Sequence, residues 1–151
     1  MIRVQTQDFD VGAELEQLAA GNHQVGGIAS FIGLVRDIAP PGSGASSSMT
    51  LEHYPGMTEK RLAEIEAEAH RRWPLVSSLI IHRYGRLAPG DRIVLVATAS
   101  SHREAALESC AFLIDWLKTE APFWKLEEGP KGAHWVEAKT SDDARKTAWK
   151  K

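Results

Sequence analysis

Residues 79–99 read LIIHRYGRLAPGDRIVLVATA, and the fold class turns on them. Two β-rich runs, Leu79 to Tyr84 and Ile93 to Ala99, flank Ala88-Pro89-Gly90-Asp91, a strand–turn–strand signal. Neighbouring strands of this kind read as an antiparallel hairpin. Set among mixed strands and helices, the hairpin favours an α+β fold over a doubly wound parallel sheet.

Downstream, Ser101-His102-Arg103-Glu104 carries the Ser-x-x-Glu capping box, with Ser101 as expected N-cap and Glu104 reaching back. The helix it opens extends to about Thr119. Ala105, Ala106, Leu107, Cys110, Ala111, Leu113, Ile114 and Leu117 make it apolar around most of its circumference, so burial on several sides is expected. Ala121-Pro122 breaks it, Phe123-Trp124-Lys125 continues in extended or turn conformation, and His134 to Ala138 reads as a last short strand.

Upstream, Ile2 to Gln5 alternates as a short strand, and Asp10 caps a short helix through Leu15 and Leu18 that stops at Gly21. Val25 to Val35 is strand-like, with Gly26, Gly27 and Gly33 marking close backbone approach or a bulge. Residues 38–48, small and polar, read as a mobile loop, after which Met49 to Tyr54 returns as the expected partner strand. Pro55-Gly56 turns the chain. Thr58 is the expected cap of a helix carrying Leu62, Ile65, Ala69 and Trp73 on one face, and Pro74 ends it.

The chain of 151 residues suits one domain, 1–151, and 43% apolar with 25% charged residues is the composition of a globular protein rather than a disordered one. A net charge of −2 supplies no global field for nucleic acid. No stretch approaches the roughly 20 apolar residues of a membrane span and the first residues lack a signal-peptide core, so a cytoplasmic location without membrane contact is expected. The single Cys110 excludes an intrachain disulfide and a resolving-cysteine cycle, and its place between Leu107 and Leu113 suits a core thiol. The six histidines form no pair with zinc-ligand spacing, so no metal site is expected.

Three places could carry chemistry. His102 and Arg103 sit where a helix N-terminus disfavours cations by roughly 0.3–1 kcal/mol each, which makes sense when an anion lies among them; otherwise both side chains point into water. Lys118 lies in the last helical turn and Lys125 beyond the proline break. Close together they would favour a neutral, nucleophilic amine; apart, Lys118 suits a helix C-terminus with Asp115 at i−3. Arg36 precedes the loop and is either a phosphate clamp or a surface partner of Asp37. Residues 102 and 118 stand roughly 24 Å apart along the helix, too far for one small metabolite. Either the sites are unrelated, or a symmetric dimer brings His102 and Arg103 of one copy to Lys118 of the other.

The strings Leu51-Glu52-His53-Tyr54-Pro55-Gly56-Met57, Ala63-Glu64-Ile65, Ile81-His82-Arg83-Tyr84-Gly85, Pro89-Gly90-Asp91, Ser101-His102-Arg103, Lys118-Thr119-Glu120-Ala121-Pro122-Phe123-Trp124-Lys125 and Trp135-Val136-Glu137-Ala138 occur in this order. Together they resemble the large, catalytic subunits of molybdopterin synthase, the MoaE family, from about Val4 to Trp149. The resemblance implies an α/β hammerhead with an added small antiparallel sheet. It implies a sulfurtransferase that converts cyclic pyranopterin monophosphate into the dithiolene of molybdopterin in molybdenum cofactor biosynthesis, with no resident cofactor. Sulfur would arrive as a thiocarboxylate on the C-terminal Gly-Gly of a small ubiquitin-like carrier subunit. The assembly implied is a homodimer of large subunits with composite sites and one carrier at each end.

Carried over residue by residue, Lys118 and Lys125 match the family's active-site lysines, and Arg36, His102 and Arg103 its phosphate-binding residues. Leu34, Val35, Leu126, Glu127 and Lys139 complete the implied substrate contacts. Leu34 and Leu126 stand where relatives often carry a further basic residue, and Lys139 where arginine is more usual, so a bidentate contact there becomes a point charge. The same cationic cluster would also serve a non-catalytic phosphometabolite-binding domain. With sites shared across a two-fold axis, mixing a Lys118→Ala chain with an Arg103→Ala chain restores about one quarter of wild-type activity, because half the dimers are mixed and each has one intact site. Sulfur transfer assayed after subunit exchange checks this, and no recovery refutes the shared site.

Overall fold

Two neighbouring strands are apolar on both faces, and this decides the layering. In β4 (Leu75–Arg83) and β6 (Arg92–Ser100), Ile80, Val94 and Val96 pack to one side while Leu79, Ile81, Leu95 and Ala97 pack to the other. Side chains alternate along a strand, so a strand that is apolar at successive positions must be covered twice. The first side is covered by α2 (Met57–Arg72) and α3 (Arg103–Glu120), through Leu62, Ile65, Ala69, Phe112, Leu113 and Leu117. The second is covered by the short α1 (Val11–Leu18) with Phe9, Val11, Leu15 and Leu18.

The computed structural model describes residues 1–37, 42, 47–129, 132–136 and 148–149. In its first sheet β1 (Ile2–Gln5) joins β4 in parallel and β2 (Gly27–Leu34) joins β6 antiparallel, giving the order β1-β4-β6-β2. The β4–β6 register sets Ile81 opposite Leu95 and His82 opposite Val94. The second sheet has β5 (Gly85–Leu87), β3 (Ser48–His53), β7 (Phe123–Gly129) and β8 (Gly132–Val136) in that order, all antiparallel. Gly85, at φ +91°, carries the chain from β4 into β5, a left-handed turn that glycine makes without a Cβ clash. Met49, Leu51, Val35 and Leu87 form the small core beneath this sheet. The α+β class and the added antiparallel sheet are therefore as the sequence suggests. Among the described residues no helix is long and apolar enough to cross a membrane.

Several local expectations change. The strand expected over Met49 to Tyr54 is β3, Ser48–His53, and its neighbours are β5 and β7 rather than β2, because Met49 and Leu51 bury against Val35 and Leu87 while β2 takes the edge beside β6. The N-cap of α3 is His102 rather than Ser101, and no side chain caps it. The cause lies one residue earlier: β6 runs through Ser100, whose carbonyl accepts from Gly26 N–H at 2.9 Å and whose hydroxyl donates to the Pro74 carbonyl at 2.9 Å. Thr58 lies inside α2, whose N-cap is Gly56. The buried Thr58 hydroxyl instead ties back to the N–H and carbonyl of Tyr54, and Glu59 accepts from Gly56 N–H.

Leu107 is 62% exposed and Ala111 is exposed as well, because α3 is covered only on its sheet and α2 sides. Asp10 does cap α1, accepting from Ala13 N–H at 3.0 Å. Of the loop expected over 38–48, residues 38–41 and 43–46 lie outside the described residues, while Ser47 is buried and donates to Asp37 at 2.7 Å. Farther along the chain, Trp149 packs edge-on against Phe112 and Trp73 and donates to Asp115 at 2.7 Å, which ties this end of the chain to α3.

Gly26 is where the start of β2 meets the entrance to α3. A Cβ there would lie 2.1 Å from the Ser101 carbonyl oxygen, a backbone atom that cannot rotate away. Gly26→Ala therefore destabilises the fold by about 1–3 kcal/mol, the usual range for overpacking. Urea unfolding of the two proteins measures it, and an unchanged midpoint would contradict the close approach.

Candidate active site

Strand parity selects the side chains that meet at one end of α3. On β7, Phe123, Lys125 and Glu127 share a face, and the register sets them opposite His53, Leu51 and Met49 of β3. Lys125 and Glu127 thereby line a cavity of about 590 Å³ between the two sheets. Lys118 enters from the last turn of α3, next to the buried Leu117. Arg36 enters from the segment after β2. Val35, just ahead of it, donates to the Asp91 carbonyl at 2.9 Å and accepts from Gly90 N–H at 2.8 Å, which fixes the chain where the arginine departs. Gly33 forms part of the wall, where a Cβ would stand 2.6 Å from Val94 Cγ1.

His82 forms part of the lining and is 6% exposed. It shares parity with Ile80, so it lies on the α3 side of β4. Its ring stacks on Phe123 with centroids 3.7 Å apart, and Nδ1 lies 2.8 Å from the Arg83 carbonyl. A carbonyl only accepts, so Nδ1 carries the hydrogen and Nε2 the lone pair. Burial pushes the imidazole down to about 4 against a smaller upward pull from that carbonyl, and the charges of Lys118, His53 and Lys125 add to the depression. Cys110 is outside the cavity. Its thiol is buried against the Val96 carbonyl and pushed up to about 11 by loss of solvent, so it is inert at neutral pH.

The cavity thus brings together Lys118, Lys125, Arg36, Leu34, Val35 and Glu127. It does not include His102 and Arg103, which are exposed at the far end of α3. Leu126 falls on the opposite face of β7, across from Thr50, as does Trp124, whose ring meets Tyr54 at 4.4 Å. Lys139 lies outside the described residues. Phe31 and His82 line the cavity without having been singled out from sequence, and Phe123 lines it beside them. For His82 a signal existed: a histidine two positions beyond an inward-facing Ile80, just before the Gly85 turn, points into the core side of the sheet.

Two amines, a guanidinium and a carboxylate line one partly apolar cleft, which gives it the donors to hold an anionic group, and no thiol lines it. Among the described residues no cluster of His, Cys, Asp or Glu could hold a metal. The chain belongs to the MoaE family, whose model, described as MoaE protein, matches residues 4–120. It is 56% identical over 148 residues to the molybdopterin synthase catalytic subunit of Ralstonia nicotianae, covering 98% of this chain and 83% of that one. The molybdopterin biosynthesis MoaE protein of Burkholderia ambifaria superposes with a TM-score of 0.83 at 53% identity, covering 99% and 98% of the two chains. Molybdopterin synthase from Staphylococcus aureus gives 0.79 at 29% identity, covering 89% of this chain and 96% of that chain. The chain is accordingly a sulfurtransferase of molybdenum cofactor biosynthesis.

His82 has a consequence for stability. Because its folded-state value of about 4 lies below the ordinary 6.5, the unfolded chain takes up a proton between these limits that the folded chain refuses. Stability from this residue is complete above about pH 6.5 and is lost as pH falls toward about 4, by up to about 3 kcal/mol. His82→Gln removes that component, so the stability difference between wild type and variant narrows on acidification. Urea unfolding at about pH 7 and about pH 4.5 measures the change, and a pH-independent difference would refute it.

Proposed function

We propose that this cavity transfers sulfur from the C-terminal thiocarboxylate of a small ubiquitin-like carrier to cyclic pyranopterin monophosphate, forming the dithiolene of molybdopterin. The observation that carries the reading is the convergence of Lys118, Lys125 and Arg36, from three separate elements, on one partly apolar cleft. The guanidinium of Arg36 suits a phosphate, which it grips through paired N–H donors. The inert Cys110 supports delivery of sulfur by a partner, since no other cysteine is present to carry it. In this reading the carrier tail threads toward Lys118. Its sulfur bonds to the pterin side chain as a C–O bond of the cyclic phosphate ester breaks, the phosphate staying on the substrate. Water then cleaves the acyl–sulfur link, which leaves the sulfur on the pterin and releases the carrier as its carboxylate. The cationic groups stabilise the charge that develops. Lys118 activates the acyl–sulfur link and Lys125 positions substrate beside it. A second carrier delivers the second sulfur, in the cytoplasm.

The site is completed by a second copy of the chain. His102 and Arg103 are roughly a helix length from Lys118, so within one copy they cannot touch the same small molecule. The surface beside them is apolar and open: Leu107 on α3 is 62% exposed, and on the edge strand β2 Phe31 on the α3 face is 40% exposed and Ile28 on the other face 39%. An uncovered strand edge flanked by apolar side chains is an interaction surface. A two-fold axis there would carry each His102–Arg103 pair toward the partner's cavity.

The test is a single-turnover reaction with thiocarboxylated carrier and cyclic pyranopterin monophosphate, read through the fluorescent oxidation product of the dithiolene pterin. Wild type forms product and Lys118→Ala is slower by at least about a hundredfold while still binding the pterin phosphate. No product from wild type would move a non-catalytic phosphometabolite-binding domain to the front.

A further inference from the structure

We propose that His82 is a positioning residue of the sulfur-transfer site, its Nε2 accepting a hydrogen bond that holds the Lys118 amine over the cavity. The inference rests on Lys118 acting as described above, and it adds a residue to which the sequence motifs assign no task. Three observations support it. The imidazole is buried in the cavity wall on the side of β4 that faces α3. Its orientation is fixed twice, by stacking on Phe123 and by the Nδ1 contact with the Arg83 carbonyl, which together leave Nε2 as a preset acceptor. Lys118, in the last turn of the helix that this face of β4 packs against, lines the same cavity as the ring.

The chemical logic is that of an uncharged guide. The groups facing His82 are Lys118 from α3, Lys125 from β7 and His53 from β3, with Arg36 and Glu127 farther around the cavity. A third cation at this point would repel both lysines and compete with them for the anionic substrate. A neutral ring with one lone pair orients an amine without adding charge. It also excludes His82 as a general base near neutral pH, because burial keeps the proton off. An exposed lysine has many rotamers, and holding its amine by one acceptor lowers the cost of reaching the reactive arrangement.

The experiment compares His82→Phe and His82→Leu, which remove the acceptor, with His82→Gln, which places an amide oxygen near the position of Nε2. Folding of each is checked by circular dichroism, and either acceptor-free variant serves the comparison. The first readout needs no activity: the rate at which a water-soluble amine reagent modifies Lys118, followed by peptide mass spectrometry at constant pH. Loss of an acceptor that stabilises the ammonium leaves more free amine, so Lys118 is modified about fivefold faster in the acceptor-free variant and at the wild-type rate in His82→Gln. The second readout is single-turnover sulfur transfer, which drops about tenfold in the acceptor-free variant with pterin affinity unchanged and returns in His82→Gln. Unchanged labelling in the acceptor-free variant overturns the proposal. Equal changes in all variants overturn it too, since they would mark a packing role. A wild-type protein without sulfur transfer would refute the function proposed above, and the labelling comparison would still decide the contact between His82 and Lys118.

Discussion

The antiparallel pairing of β4 with β6 is the constraint on which the rest of the structure depends. Both strands are apolar at consecutive positions, so their sheet must be buried on both faces, and the chain supplies α2 and α3 for one face and α1 for the other. The same pairing aims His82 and Val94 at the helix side and places the end of β4 beside the end of α3. Remove that register and the cavity has no wall.

Around this core the site is assembled from segment ends. Arg36 leaves just after an edge strand, Lys118 stands in a last helical turn, and Lys125 belongs to the second sheet. Ends of elements are where backbone groups run out of partners and side chains reach solvent, while a rigid layer behind them holds their positions. The third core cluster, Val35, Met49, Leu51 and Leu87, ties the second sheet to the first and so keeps Lys125 on the same cavity as Lys118. The shape of the cavity therefore depends on an apolar cluster that joins the two sheets.

Electrostatics in the cavity follow from solvent access more than from residue count. His82 is forced neutral by burial and by the lysines near it, whereas Lys118 remains exposed. Cys110, equally enclosed, is held as a thiol and withdrawn from chemistry. One buried imidazole thus supplies an acceptor and one buried thiol supplies packing, although both residue types are reactive elsewhere.

By itself the sequence determined the elements and the reaction class. Period-two runs, the Ala88–Asp91 turn, the Asp10 cap and the proline breaks are local signals, and local physics decides them. The motif strings, from Leu51 to Lys125, carried the family and pointed to Lys118, Lys125 and Arg36. Tertiary structure decided what no window of residues contains. It set β3 beside β5 and β7 instead of β2, turned Leu126 away from the cavity that Lys125 and Glu127 enter, left Leu107 exposed, and brought His82 to Phe123. The physical reason is that strand partners and cavity walls are chosen by long-range burial: Met49 and Leu51 could have covered either sheet, and the core they completed settled which.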